Sequence, residues 1–152
     1  MRYGIAADHQ GYELKTKILH SFQKNQALEL VDYGAFKLTP DDDYPDFVIP
    51  LARAISSGEI NRGIAICGSG IGASIAANKV RNVRAGIVHD VFSARQGVED
   101  DNMNVICIAA QLVDYSSACE LIKIFLGSHF SPEPKYQRRL NKISNLEMEI
   151  RK

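Results

Sequence analysis

The sequence predicts an α/β protein built on a five-stranded parallel sheet with helices on both faces. Short apolar runs alternate with amphipathic helical patterns along the whole chain, and that alternation implies parallel strands joined by helical crossovers. Residues 63–80 repeat the unit in its clearest form: an apolar run ending at Cys67, glycines at 68, 70 and 72, then an alanine-rich helical pattern. A chain of 152 residues with 45% apolar content is long enough to bury one substantial core, so a single domain over 1–152 is expected.

The elements follow in order. Residues 2–7 read as the first strand and Asp8-His9-Gln10-Gly11 as its loop. Leu14, Ile18, Leu19 and Phe22 then mark the inner face of a helix, with Glu13, Lys15 and Lys17 expected outside. Leu28 to Val31 reads as the second strand, closed by Asp32-Tyr33-Gly34. A polar loop, Thr39 to Pro45, leads to a helix with Phe47, Val48, Leu51, Ala52 and Ile55 inward and Gly58 as its cap. After the glycine unit, Ala85 to Val88 is a fourth strand, Phe92 to Gln96 a short helix and Val105 to Ala109 a fifth strand. Ser116 to Leu126 is a helix ended by Gly127. Pro132 and Pro134 break the chain before a last helix at about 135–151.

Composition excludes several classes. Lys plus Arg is 18 and Asp plus Glu is 18, so no global basicity points to nucleic acid. No apolar run approaches a membrane span, and the N-terminus lacks a signal-peptide pattern. Cys67, Cys107 and Cys119 show neither metal-ligand spacing nor a disulfide framework, which suits a reducing cytoplasm. Asp41, Asp42 and Asp43 could hold a metal, but adjacent carboxylates repel and more often form a solvated loop.

In open parallel sheets a ligand binds beyond the carboxyl ends of the strands. That rule gathers Asp8 and His9, then Cys67 to Gly72, then His89, Asp90 and Gln111 on one rim. Glycines there let the backbone turn and approach a ligand, and unpaired N–H groups at a helix start attract anions. Asp8 could bind sugar hydroxyls, move protons or cap the next helix. His20 and His129 sit in polar surroundings. Lys135, Arg138, Arg139 and Lys142 are either a solvated helix face or a phosphate clamp. A dinucleotide site is disfavoured: the spacing is G-x-G-x-G rather than G-x-G-x-x-G, and it follows the third strand.

Asp8-His9-x-Gly11, Asp43-Tyr44-Pro45-Asp46, Ile66-Cys67-Gly68-Ser69-Gly70-Ile71-Gly72, Ala76-Ala77-Asn78-Lys79 and Asn104-Val105 occur in this order. Together they resemble the ribose-5-phosphate isomerase B family, which also contains the galactose-6-phosphate isomerase subunits. The resemblance covers nearly the whole chain. It implies a Rossmann-like three-layer α/β/α sandwich, a homodimer or dimer of dimers with shared sites, and aldose–ketose isomerisation of a sugar phosphate through an enediolate without metal or other cofactor. It implies Cys67 as the base between C1 and C2, Ser69 as its assistant, and the Gly68, Gly70 and Gly72 amides, with Ile71 in the same loop, around the enediolate oxygen. Asp8, His9 and Tyr44 match sugar- and phosphate-contacting positions. Arg139 matches a phosphate-binding arginine that reaches the neighbouring subunit's site. Asp100 stands where the family commonly has the ring-opening histidine and is the candidate for that acid–base role, and Asp101 where it has an asparagine. Gln111 and Lys135 each replace a frequent arginine. Glu99 or His89 could take over ring opening, or the substrate could arrive open-chain.

Overall fold

The computed structural model describes residues 1–24 and 28–149. Five parallel strands form one sheet in the order β2-β1-β3-β5-β4: β1 Arg2–Ala7, β2 Glu29–Asp32, β3 Arg62–Cys67, β4 Ala85–Ile87 and β5 Val105–Ala109. The helices are α1 Tyr12–Gln23, α2 Pro45–Ser56, α3 Ile71–Ala77, α4 Val91–Asp101, α5 Tyr115–Gly127 and α6 Pro134–Glu149. Strand side chains alternate between two cores. Ile5, Ile64, Ile66, Ile106 and Ile108 pack with α1, α4 and α5 on one face. Ala6, Ala65, Cys67 and Cys107 pack with α2 and α3 on the other. The alternation is the period-2 pattern of a strand buried on both sides. Among the described residues no helix is long and apolar enough to cross a membrane.

The first and fifth strands lie where the sequence places them, and the third ends at Cys67 as expected but starts at Arg62, before the apolar run at Ile64. The second runs one residue later than expected, because Arg2 to Ile5 pair with Glu29 to Asp32. The fourth stops at Ile87. The helix after it runs to Asp101 rather than ending near Gln96. Asp90 starts it by accepting from the Ser93 amide, and Asn102 at φ 50° ends it. Gly97 does not stop it, because Ala94 and Val98 bury one helix face on either side. Gly58 has φ +79° and follows α2, as a C-terminal cap should. Gly127 instead is the last residue of α5, and Pro134 is the first residue of α6 rather than a break before it. Proline suits that position, where its missing N–H is not needed. The expected end of the last helix at 151 lies outside the described residues.

Lys15 corrects a further expectation. It is 1% exposed, not on the solvent side of α1. Its Nζ donates to both oxygens of Asp32, at 2.6 and 2.8 Å, and to the Ala35 carbonyl at 2.8 Å. Burial is tolerable for a lysine only with such partners. They tie α1 to the turn after β2. That turn continues the sheet, since Ala7 donates to the Gly34 carbonyl and Ala35 donates to the Ala7 carbonyl.

Gly11 shows how tightly α1 starts against the sheet. A Cβ there would lie 2.6 Å from the Ile66 carbonyl oxygen, and β3 main chain cannot move aside. Gly11→Ala is expected to cost about 2 kcal/mol by overpacking, read as a lower thermal midpoint. A midpoint within 1–2 °C of the parent would show that the start of α1 adapts.

Candidate active site

In this sheet order the connection leaving β1 turns to β2 on one side while that leaving β3 turns toward β4 on the other, so a crevice opens between the carboxyl ends of β1 and β3. Ala7 pairs with Ile66. Asp8 therefore follows β1 beside Cys67, which ends β3. Cys67 also pairs with Ala109, and the next turn is knitted to the glycine loop: Ala110 donates to the Cys67 carbonyl and Gln111 to that of Gly68.

Cys67 is 4% exposed. The Gly70 amide points at its sulfur, 3.2 Å away. Gly70 can do so because it adopts φ +78°, a conformation favouring glycine, at the cap of α3. The exposed Ser69 hydroxyl accepts from the Ile71 amide at 3.3 Å. Tyr44, at the start of α2, lies against Gly72. The loop thus sets a thiol beneath the Gly70 amide with an aromatic ring alongside. Such an arrangement can stabilise a developing oxyanion.

Asp8 is 5% exposed and accepts from the Gln10 and Gly11 amides, both at 3.0 Å. Asp8 therefore closes the turn before α1 rather than capping the helix, whose cap position is Gly11 and carries no side-chain bond. Burial raises its carboxyl above the ordinary value, while these N–H bonds and His9 oppose the rise. His9 turns to Asp42: ring Nδ1 lies 2.8 Å from Asp42 Oδ1. The Gln111 amide group donates to Gln10 Oε1 at 2.9 Å, and that pair closes over Gly68. Asp90 is engaged as the α4 cap through the Ser93 amide and hydroxyl, and His89 is exposed.

Asp100 and Asp101 are not brought to this rim within one chain. They end α4, which runs back toward the beginnings of the strands. Asp100 accepts from Gln96 at 2.8 Å. Asp101 lines a cavity of about 570 Å³ with Arg84, Met103 and Leu146. The segment before α6 is fixed to the same end, because Ser131 donates to the Glu99 carbonyl. Lys135 pairs with Glu133 at 2.9 Å, and Arg139 stacks over Tyr136. The predicted residues therefore form two groups at opposite ends of the sheet.

Sequence reasoning missed three participants. Asp42 is not a solvated acid but the partner of His9, while Asp41 and Asp43 face solvent. Gln10 holds Gln111, and Lys15 holds the turn after β2. The run of three aspartates was the one visible signal, and it does not say which of them turns inward.

The fold and this loop define a Rossmann-like α/β protein with a glycine loop folded over a buried thiol. Comparison with known proteins narrows the class. The family model described as Ribose/Galactose Isomerase matches residues 3–143, and the chain belongs to that family. Ribose-5-phosphate isomerase B of Clostridium thermocellum superposes with a TM-score of 0.92 at 36% identity, covering 99% of both chains. The Mycoplasma genitalium ribose-5-phosphate isomerase B, solved with ribulose 5-phosphate bound, gives 0.91 at 36% identity over 97% of both chains. D-erythrulose-4-phosphate isomerase 2 of Mycolicibacterium smegmatis is 31% identical, over 91% of this chain and 92% of its own.

Proposed function

We propose that this chain, as one domain over 1–152, interconverts an aldose phosphate and its ketose, most simply ribose 5-phosphate and ribulose 5-phosphate. The carrying observation is the Cys67 sulfur, buried beneath the Gly70 amide in the glycine loop. Cys67 as thiolate takes the C2 proton of the open-chain aldose, leaving an enediolate. The O1 charge is held by loop amides of Gly68, Gly70 and Gly72. The proton on O2 passes to O1, the Cys67 thiol gives its proton back at C1, and O2 becomes the ketone with Cys67 again a thiolate. Ser69 and Tyr44 bound the sugar, and Asp8 lies within the same crevice. No metal or other cofactor takes part in this scheme.

The test is an assay across tetrose, pentose and hexose phosphates, with and without chelator. Chelator-insensitive turnover, highest with ribose 5-phosphate, is the expected result. A preference for another sugar phosphate would overturn the pentose assignment. That second reading is favoured by Gln111, whose neutral side chain is spent on Gln10, and by the likeness to the erythrulose-phosphate isomerase. Binding without turnover on every sugar would make the chain a sugar-phosphate-binding relative.

The same reading includes a homodimer, alone or paired into a tetramer, with shared sites. Supporting it, α6 buries no residue within its own chain, and Ile143, Leu146 and Met148 are 44, 56 and 51% exposed. Asp100, Asp101, Lys135 and Arg139 would then serve the crevice of a second copy, with Lys135 and Arg139 taking the phosphate. Cys67→Ala and Arg139→Ala chains, refolded together, are expected to recover about one quarter of parental activity, because half the dimers are mixed and each holds one intact site. No recovery would mean that each chain completes its own site. A cytoplasmic setting belongs to this reading too, since Cys67, Cys107 and Cys119 are free thiols.

A further inference from the structure

Asp42 is the acid that the functional reading leaves unused. One of its oxygens, Oδ1, accepts from the His9 main-chain N–H at 2.7 Å and lies 2.8 Å from ring Nδ1. The Asp42 side chain is 10% exposed, and that of His9 is 26% exposed at the mouth of the crevice. The second oxygen, Oδ2, is buried with no partner among the described residues. A carboxylate held in this way is costly unless a cation is beside it. His9 Nε2 has no hydrogen-bond partner among the described residues, so it is free to donate outward.

The rim of one chain offers few cations to an anionic ligand. Of the predicted site residues, Gln111 is neutral and bound to Gln10. Lys135 and Arg139 belong to α6, at the other end of the sheet.

We propose that Asp42 is a positioning residue for the anionic end of the substrate: it grips His9 by main chain and ring together, and so presents Nε2–H of an imidazolium as a fixed phosphate donor. The proposal rests on the sugar-phosphate reading. Geometry carries it, because a doubly held His9 is fixed both in ring orientation and in the proton it keeps on Nδ1. The charged groups facing the ring are Asp8 on its own loop and Asp42 on the loop before α2. The bond to Asp42 is the main cause that lifts the imidazole above its ordinary value, with both carboxylates adding attraction and desolvation opposing. The sign follows. A raised value keeps the imidazolium into higher pH, so the phosphate grip weakens as pH rises through it, and removing the Asp42 charge moves that loss to lower pH.

The test is a carbon-edited NMR titration of the His9 ring in the parent and Asp42→Asn, beside the affinity for inorganic phosphate across pH in the parent, Asp42→Asn and His9→Asn. Asparagine keeps an acceptor at the same place. In Asp42→Asn, the His9 midpoint is expected to fall and phosphate to bind about tenfold more weakly near neutral pH. In turnover assays KM should rise more than kcat falls. In His9→Asn, phosphate affinity should lose the same pH dependence. An unchanged His9 midpoint in Asp42→Asn, or unchanged phosphate affinity in His9→Asn, overturns the proposal. If Asp42→Asn does not fold, Asp42→Ser is measured in its place, with the same outcomes expected. Loss of every isomerase activity with the phosphate response intact would instead overturn the sugar-isomerase reading and leave this one standing.

Discussion

Cys67→Ala abolishes turnover, with an expected loss of about 10³-fold or more, while the fold survives. General acid–base catalysis by a positioned group is worth roughly 10² to 10⁴, and here no substitute is at hand. The sulfur is 4% exposed, so bulk water does not readily take its place. The Gly70 amide that faces it would face a methyl group instead. The structural cost is small, because alanine is only a little smaller in the packed layer under α3. A coupled assay beside a thermal melt separates the two effects. If Cys67→Ala keeps a tenth or more of parental activity, the base is elsewhere. Asp8 is then the group to examine, since it is buried in the same crevice and its carboxyl is raised by that burial.

Lys15→Ala is expected to cost about 3 kcal/mol, the range for breaking a buried ion pair from one side, and to lower the thermal midpoint by on the order of 10 °C. Lys15 is 1% exposed but Asp32 is 30% exposed, so water recovers part of the orphaned carboxylate and holds the loss toward the lower end of that range. Deletion also frees the Ala35 carbonyl. The turn it anchors is the one that extends the sheet beside Ala7, next to Asp8 and His9. KM should therefore rise as well. Lys15→Met keeps the aliphatic stem and should lose less than alanine does. Adding Asp32→Asn to Lys15→Met should restore part of the difference, because the amide oxygen can still accept from the Gly34 amide. Additive losses in that double variant would show that the pair itself carries none of the stability.

Much of the fold was legible because apolar spacing reports burial directly. Ile5, Ile64, Ile66, Ile106 and Ile108 stand in short runs that only a doubly covered strand explains. The glycine loop was legible for a similar reason: a thiol followed by three alternating glycines between a strand and a helix leaves few conformations open. Lys15 was misread because the helical pattern gives a lysine no reason to turn inward. Its reason is Asp32, 17 residues away. The length of α4 was missed, since the packing of Ala94 and Val98 carries the helix past Gln96 to Asp101.

The sequence by itself determined the alternation of strands and helices, the glycine loop with Cys67, and the resemblance that names the family. These are local patterns, set by spacing along the chain. Tertiary structure decided which residues meet. It paired His9 with Asp42 and Lys15 with Asp32. It placed Asp100, Asp101, Lys135 and Arg139 at the end of the sheet away from Cys67. The reason is physical: partners across loops and layers are chosen by the direction of each helix and the order of the strands, and neither is written in the spacing of a single segment.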